Sequence, residues 1–170
     1  MYVSFDQLPA TARVWIYQAS RPLTSGETVG LLPALARFGE EWTSHGRSLV
    51  ASAEVLHQHF LVLGLDEAMA GASGCSIDAS VRFVAQLEQH LGLELLEKSR
   101  LAFMQHGQVQ LLDRRALKQA VADGTLTSAT LYFDNTIATK GALDQHWPRP
   151  AGATWLARYF GPVSETVQPA

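Results

Sequence analysis

The first strong pattern along the chain is a short run of β-branched and aromatic residues at positions 13–19, RVWIYQA. Such a run predicts a β-strand. Because side chains alternate between the two faces of a strand, Val14 and Ile16 share one face. Trp15 and Tyr17 share the other, so we expect both faces of this strand to be covered.

A helix is predicted after this strand. Thr24 and Glu27 have the spacing of a capping box, in which each side chain binds the backbone N–H of the other residue. Pro33 argues against one unbroken helix, because it lacks an N–H and clashes with the preceding turn; either the helix proper begins near Leu32 or it kinks. The apolar positions that recur at helical spacing are Leu31, Leu35, Phe38 and Trp42.

The remaining pattern gives two hairpins and a second helix. Residues 49–56 and 60–65 predict one hairpin, and residues 100–105 and 108–112 predict another. Between them, apolar residues at helical spacing predict a helix that carries Ile77, Val81, Val84, Leu87 and Leu91. We expect Leu35, Phe38, Trp42, Val84 and Leu91 to be buried against the sheet.

The resulting order is β-α-β-β-α-β, which indicates the α+β class. It matches a ferredoxin-like arrangement, in which two helices cover one face of an antiparallel sheet. We therefore predict a single domain over residues 1–170. It comprises a ferredoxin-like core (5–112), a β-α appendage (113–160) in which Asp113 caps a helix from residue 114, and a frayed tail (161–170).

The amino-acid composition excludes some classes of function. Hydrophobic residues make up 47% and charged residues 17% of the 170 positions, and the net charge is −3. These values exclude a disordered protein and disfavour binding to nucleic acid, which needs a basic surface. The single cysteine permits no intramolecular disulfide. We expect a cytoplasmic protein, because the chain has neither a secretory signal nor an apolar run of membrane-spanning length.

The most informative segment for function is a run of six small residues at positions 71–76, GASGCS, at the start of the second helix. Small residues leave backbone amides uncovered, and a helix N-terminus attracts anions. The candidate ligand-binding residues here are Gly71, Ser73, Gly74, Ser76 and Asp78. The alternative is a tight strand-to-helix crossing in which Ser73 or Ser76 is simply the N-cap.

Cys75 lies within the same segment and is the candidate catalytic residue. The positive end of a helix favours the thiolate, which is the nucleophilic form of cysteine. Catalysis would also need a base nearby. A buried, inert cysteine is the alternative.

A second polar cluster follows a short predicted strand near residue 131. Asn135, Thr139 and Lys140 are candidate ligand-binding residues there, because loops beyond strand ends often carry binding groups. The alternative is a turn at Asn135 and a helix cap at Thr139. His57 and His59 are only two potential metal ligands, so we predict neither a metal site nor a cofactor.

Several segments together resemble a small bacterial family whose members are sometimes named ABC transporter ATPases. The resemblance runs from about residue 5 to residue 160, and it carries no functional residues over to this chain. The segments on which it depends are ARVWIYQA (12–19), RPLT (21–24), FLVL (60–63) and GASGCSID (71–78).

Three function classes follow. The first is a small domain that binds a small anionic ligand or a protein partner. The second is a cysteine-dependent enzyme that uses Cys75. The third is a structural or self-associating module, because an open sheet face and free strand edges favour a homodimer.

We predict that the purified protein does not hydrolyse ATP. A P-loop needs Gly-Lys followed by Ser or Thr, and no Gly-Lys pair exists here: Lys98 follows Glu97, Lys118 follows Leu117 and Lys140 follows Thr139. The measurement is phosphate release from magnesium-ATP. Turnover that a point substitution in this chain abolishes would contradict the prediction.

Overall fold

The computed structural model of the chain describes residues 1–161. It confirms the α+β class, with antiparallel sheets and α-helices. The predicted tail falls outside the described residues apart from Gly161. A single domain over residues 1–170 stays a prediction. The described chain forms two compact units, one of Met1–Lys98 and Asn135–Trp147 and one within Ser99–Asp134 and Pro148–Ala170.

Most of the helices and strands of the described residues are short. The α-helices are α1 (Ser25–Glu41), α2 (Gly74–Leu91), α3 (Leu117–Ala122) and α4 (Lys140–His146). The strands are β1 (Arg13–Gln18), β2 (Thr43–Ser44), β3 (Arg47–Ser48), β4 (Val50–Leu56), β5 (Phe60–Asp66), β6 (Arg100–Gln105), β7 (Gln108–Asp113), β8 (Leu131–Tyr132) and β9 (Arg149–Pro150). Among residues 1–161, no helix has the length and apolarity needed to cross a membrane.

The first unit is built on a three-stranded antiparallel sheet with the order β1-β5-β4. Side chains of α1 and α2 pack on one face of it, as the helical periodicity predicted. Leu35, Trp42 and Val84 are buried, whereas Phe38 and Leu91 are only partly buried. The buried members of the main cluster are Ala19, Leu23, Leu31, Leu35, Ala53, Leu61, Leu63, Val84, Leu87, Leu93 and Leu95.

The ferredoxin-like arrangement is not confirmed. Its fourth strand would pair with β1, but β6 pairs with β7 and β8 in a different sheet. Residues 138–141 instead contact the start of the outer edge of β1. Ala138 O accepts from Val14 N at 2.9 Å, and Lys140 N donates to Ala12 O at 2.8 Å.

The first helix begins as predicted. Thr24 Oγ1 accepts from Glu27 N at 3.1 Å, and the Glu27 carboxylate accepts from Thr24 N at 2.8 Å. Arg21 binds the same carboxylate at 2.9 Å and also donates to Leu91 O at 2.9 Å, at the end of α2. Hydrogen bonds from Arg21 and from the Thr24 backbone lower the pKa of Glu27 to about 2. Of the two alternatives for Pro33, a helix that begins near Leu32 is wrong, because α1 runs from Ser25 through Pro33 to Glu41.

The second unit contains a four-stranded antiparallel sheet with the order β7-β6-β8-β9. Asp113 caps a short 3-10 helix, Arg114–Ala116, so the α-helix predicted to start at residue 114 begins three residues later, at Leu117. The buried residues that hold this unit together are Leu101, Phe103, Leu117, Ala120, Leu126, Tyr132, Ala151 and Leu156.

Two glycines of α1 give a matched test of this packing. A Cβ at Gly39 would overlap the ring of Tyr2, whose hydroxyl donates to Ala53 O at 3.2 Å, whereas a Cβ at Gly30 would meet nothing within 4 Å. We expect Gly39→Ala to lower the free energy of unfolding by about 1–3 kcal/mol through overpacking. We expect Gly30→Ala to raise it by about 0.5–1 kcal/mol, because alanine favours the helix.

Urea unfolding followed by circular dichroism measures both changes. Equal effects of the two substitutions would contradict the packing of Tyr2 against α1.

Candidate functional site

The end of α1 and the start of α2 are joined by Trp42. Its indole Nε1 donates to the carbonyl oxygen of Ser76 at 2.9 Å, and the bond is buried. The Trp42 ring lies 5.0 Å from the ring of Phe38 and 5.8 Å from that of Trp15. Phe38 in turn stacks on Phe83 of α2, with 4.2 Å between the ring centroids. These contacts fix the first turn of α2 beside the last turn of α1.

The first turn of α2 is closed by two serines. Ser73 is the N-cap: its Oγ accepts from Ser76 N at 3.2 Å, while Ser76 Oγ accepts from Ser73 N at 2.7 Å. Both hydroxyls are therefore used locally. The N–H groups of Gly74 and Cys75 precede the first intrahelical bond, and neither has an acceptor among the described residues. Two donors at the positive end of an 18-residue helix are thus available to a ligand.

A groove of about 460 Å³ opens at this helix start. Cys75 is exposed and contributes to its wall. The carboxylate-bearing Glu41 and the imidazole-bearing His45 contribute from the end of α1 and the turn that follows it. The full lining consists of Phe38, Glu41, Trp42, Thr43, His45, Ser73, Cys75 and Ala79.

His45 is placed by a tight hairpin between β2 and β3. His45 has φ 50° and Gly46 has φ 77°, so both turn residues are left-handed. This is the two-residue turn whose twist suits a hairpin, and glycine accepts it without strain. The turn places His45 in the lining of the groove.

Three side chains of the groove keep polar groups that the fold does not use. Within residues 1–161, the side chains of Cys75, His45 and Glu41 make no hydrogen bond or ion pair. In the loop before α2, by contrast, a backbone N–H is already bound by a carboxylate of the same chain. Glu67 accepts from Ala72 N at 3.0 Å and lies 3.8 Å from Arg13.

The predicted site residues of the 71–78 segment are therefore divided. Ser73 and Cys75 line the groove, and Gly74 contributes a free amide beside them. Ser76 is buried and acts as the partner in the capping box. Gly71 and Asp78 are exposed and are not among the lining residues.

The second predicted cluster has local structural contacts and does not line the groove. Asn135 Nδ2 donates to Gln18 Oε1 at 3.0 Å, and Thr139 caps α4. Lys140 pairs with Asp144 at 2.7 Å. These contacts match the alternative of a turn and a helix cap.

The two histidines of the β4–β5 turn are used in packing. His59 is 6% exposed, and burial lowers its pKa. Burial also lowers the pKa of His57, whose ring lies 5.8 Å from that of Trp147. Across residues 1–161, no group of three or more His, Cys, Asp or Glu side chains is arranged to hold a metal ion.

The sequence interpretation missed Glu41 and His45 as groove residues. It predicted no element over residues 43–48, whereas α1 ends at Glu41 and a hairpin of β2 and β3 follows. A usable signal was present: His106-Gly107 lies between the two strands of the predicted hairpin 100–112, and His45-Gly46 is the same dipeptide.

Comparison with family models, with curated proteins and with solved structures found no match.

Proposed function

We propose that the groove at the start of α2 binds a small molecule that carries an anionic group. The observation that carries this proposal is the pair of unused amides at Gly74 and Cys75, which open beside a groove with unused polar side chains. A carboxylate or phosphate oxygen is the partner that helix N-terminal amides favour. Ser73 forms part of the same wall.

Another lining residue, Glu41, adds a second requirement on the ligand. Glu41 is acidic, so a second anionic group there would be repelled, whereas an amino group or another hydrogen-bond donor would be attracted. Phe38 and Trp42 supply apolar surface to the same groove. The site therefore fits a small acid that also carries an amino or other donor group.

This proposal predicts specific amide shifts on ligand titration. In ¹H–¹⁵N NMR spectra, we expect glycine and inorganic phosphate to shift the amides of Gly74 and Cys75. The amides of Ser25 and Gly26 at the start of α1 are the internal control, because they too precede the first intrahelical bond but are not part of the groove. Equal shifts at both helix starts would indicate a general helix effect and would contradict a built site.

The variant Glu41→Gln tests the second requirement. It keeps the size of the side chain and removes its charge, so we expect weaker binding of glycine and unchanged or tighter binding of phosphate. A change of equal size and sign for both ligands would contradict the assigned role of Glu41.

A cysteine-dependent enzyme is the second candidate, favoured by the exposed Cys75 that shares one groove with His45. A histidine at the rim can take a proton from a thiol when a ligand or a side-chain rotation brings the two together. The thiol then becomes the nucleophile. This candidate and the binding function share the same ligand surface.

Alkylation of the single thiol separates the two candidates. If His45 activates Cys75, His45→Asn should slow the reaction of the native protein with iodoacetamide at pH 7 by about tenfold or more. Asparagine tolerates the left-handed turn. His106→Asn is the matched control, because His106 occupies the same kind of His-Gly turn. Equal alkylation rates in the wild type and the two variants would show that His45 does not act as the base for Cys75.

A protein partner is the alternative ligand of the groove. We further propose a cytoplasmic location and membership of the bacterial family that the GASGCSID segment resembles. None of them adds a residue to the groove.

A further inference from the structure

The outward face of α1 carries apolar side chains that the fold does not cover. Val29 is 66% exposed and Leu32 is 50% exposed, and Pro33 is exposed beside them. Ala36 continues the same face one turn later. We refer to Val29, Leu32, Pro33 and Ala36 as the outer stripe. Large apolar side chains that are adjacent and exposed typically mark an interaction surface.

The spacing of the outer stripe is symmetric about its own centre. Reversing the helix about the midpoint between residues 32 and 33 places Val29 opposite Ala36 and Leu32 opposite Pro33. A second, antiparallel copy of α1 would therefore meet apolar side chains at every stripe position. Gly30, which borders the stripe, has no atom within 4 Å of the site of its missing Cβ, so the backbone of another helix can come close there.

In the same antiparallel pair, the last turn of one α1 and the first turn of the other are complementary in charge. Glu40 and Glu41 lie in the last turn, which contains no basic residue, and acidic groups there oppose the helix dipole. At the other end, the N–H groups of Ser25 and Gly26 have no acceptor among the described residues. Antiparallel pairing places Glu40 of one copy beside these amides of the other.

The contact that Glu40 makes within its own chain is weak. Its carboxylate lies 3.9 Å from the Met1 ammonium, and the two groups are 61% and 70% exposed. Exposed pairs of this kind contribute little. Glu40 can therefore exchange this contact for the helix terminus of a neighbour.

We propose that the outer stripe of α1 binds a second copy of this chain, with the two α1 helices antiparallel about a twofold axis near Pro33. One pair of helices buries less than the ~1,200 Å² of a standard interface, so the dimer is weak and depends on concentration. It is also weakened by salt, because Glu40 contributes through charge.

Sedimentation velocity on the full chain between about 10 μM and 1 mM tests the proposal. We expect wild-type protein to associate as its concentration rises. Val29→Glu and Leu32→Glu should each weaken association by at least about tenfold, whereas Val81→Glu should not. Val81 is a matched control, since it is a 40% exposed apolar residue on α2. Glu40→Gln should weaken association about three- to tenfold at low salt and have a smaller effect at high salt.

Thiol cross-linking tests the orientation of the pair. In a Cys75→Ser background, Pro33→Cys should be joined by a short bismaleimide, because the two positions lie at the axis. Gly26→Cys should not, because an antiparallel pair separates the two copies of position 26 by about 21 Å. Circular dichroism and urea unfolding confirm that each variant is folded.

Several results would overturn the proposal. They are a monomer at 1 mM, association that survives both stripe variants, equal loss in Val81→Glu, and cross-linking at position 26 as strong as at position 33.

Discussion

The hydrogen bond from the Trp42 indole to the carbonyl oxygen of Ser76 is the contact on which the candidate site depends. It connects the residue that follows α1 with the first turn of α2, and it does so in a buried environment where an unpaired donor would be costly. Because the bond fixes both ends, the free amides of α2 and the side chains after α1 open into one groove. Neither helix alone would form this site.

The same aromatic cluster explains why the groove has an apolar floor. Phe38 stacks on Phe83 and packs against Trp42, yet it is only partly buried, because its remaining surface lines the groove. The helical spacing placed Phe38 on the packed face of α1 and gave no sign that this face ends at an opening. An aromatic residue at such a boundary stabilises the core and offers surface to a ligand.

Local features were the ones that could be predicted from the sequence. The capping box of Thr24 and Glu27 is confirmed, because its residues are three apart and need no distant partner. The edge of β1 was different: residues 138–141 contact its start through backbone hydrogen bonds, which leave no trace in the side-chain pattern. His45 joins Cys75 in one groove across thirty residues of sequence, a proximity that periodicity does not encode. The sequence pattern predicts the buried faces of helices and their caps. The order of strands in a sheet and the residues that meet in the groove depend on long-range contacts.

The backbone contact between residues 138–141 and the start of β1 also determines the order in which the first unit can be completed. Its chain departs at Lys98 and returns at Asn135, so the segment that pairs with β1 is made long after β1 itself. During synthesis, the outer edge of β1 stays open until the ribosome has passed the whole intervening segment. An open edge on a nascent chain is a site for mispairing with other strands. Closing it late is therefore a kinetic hazard that this topology imposes on its own folding.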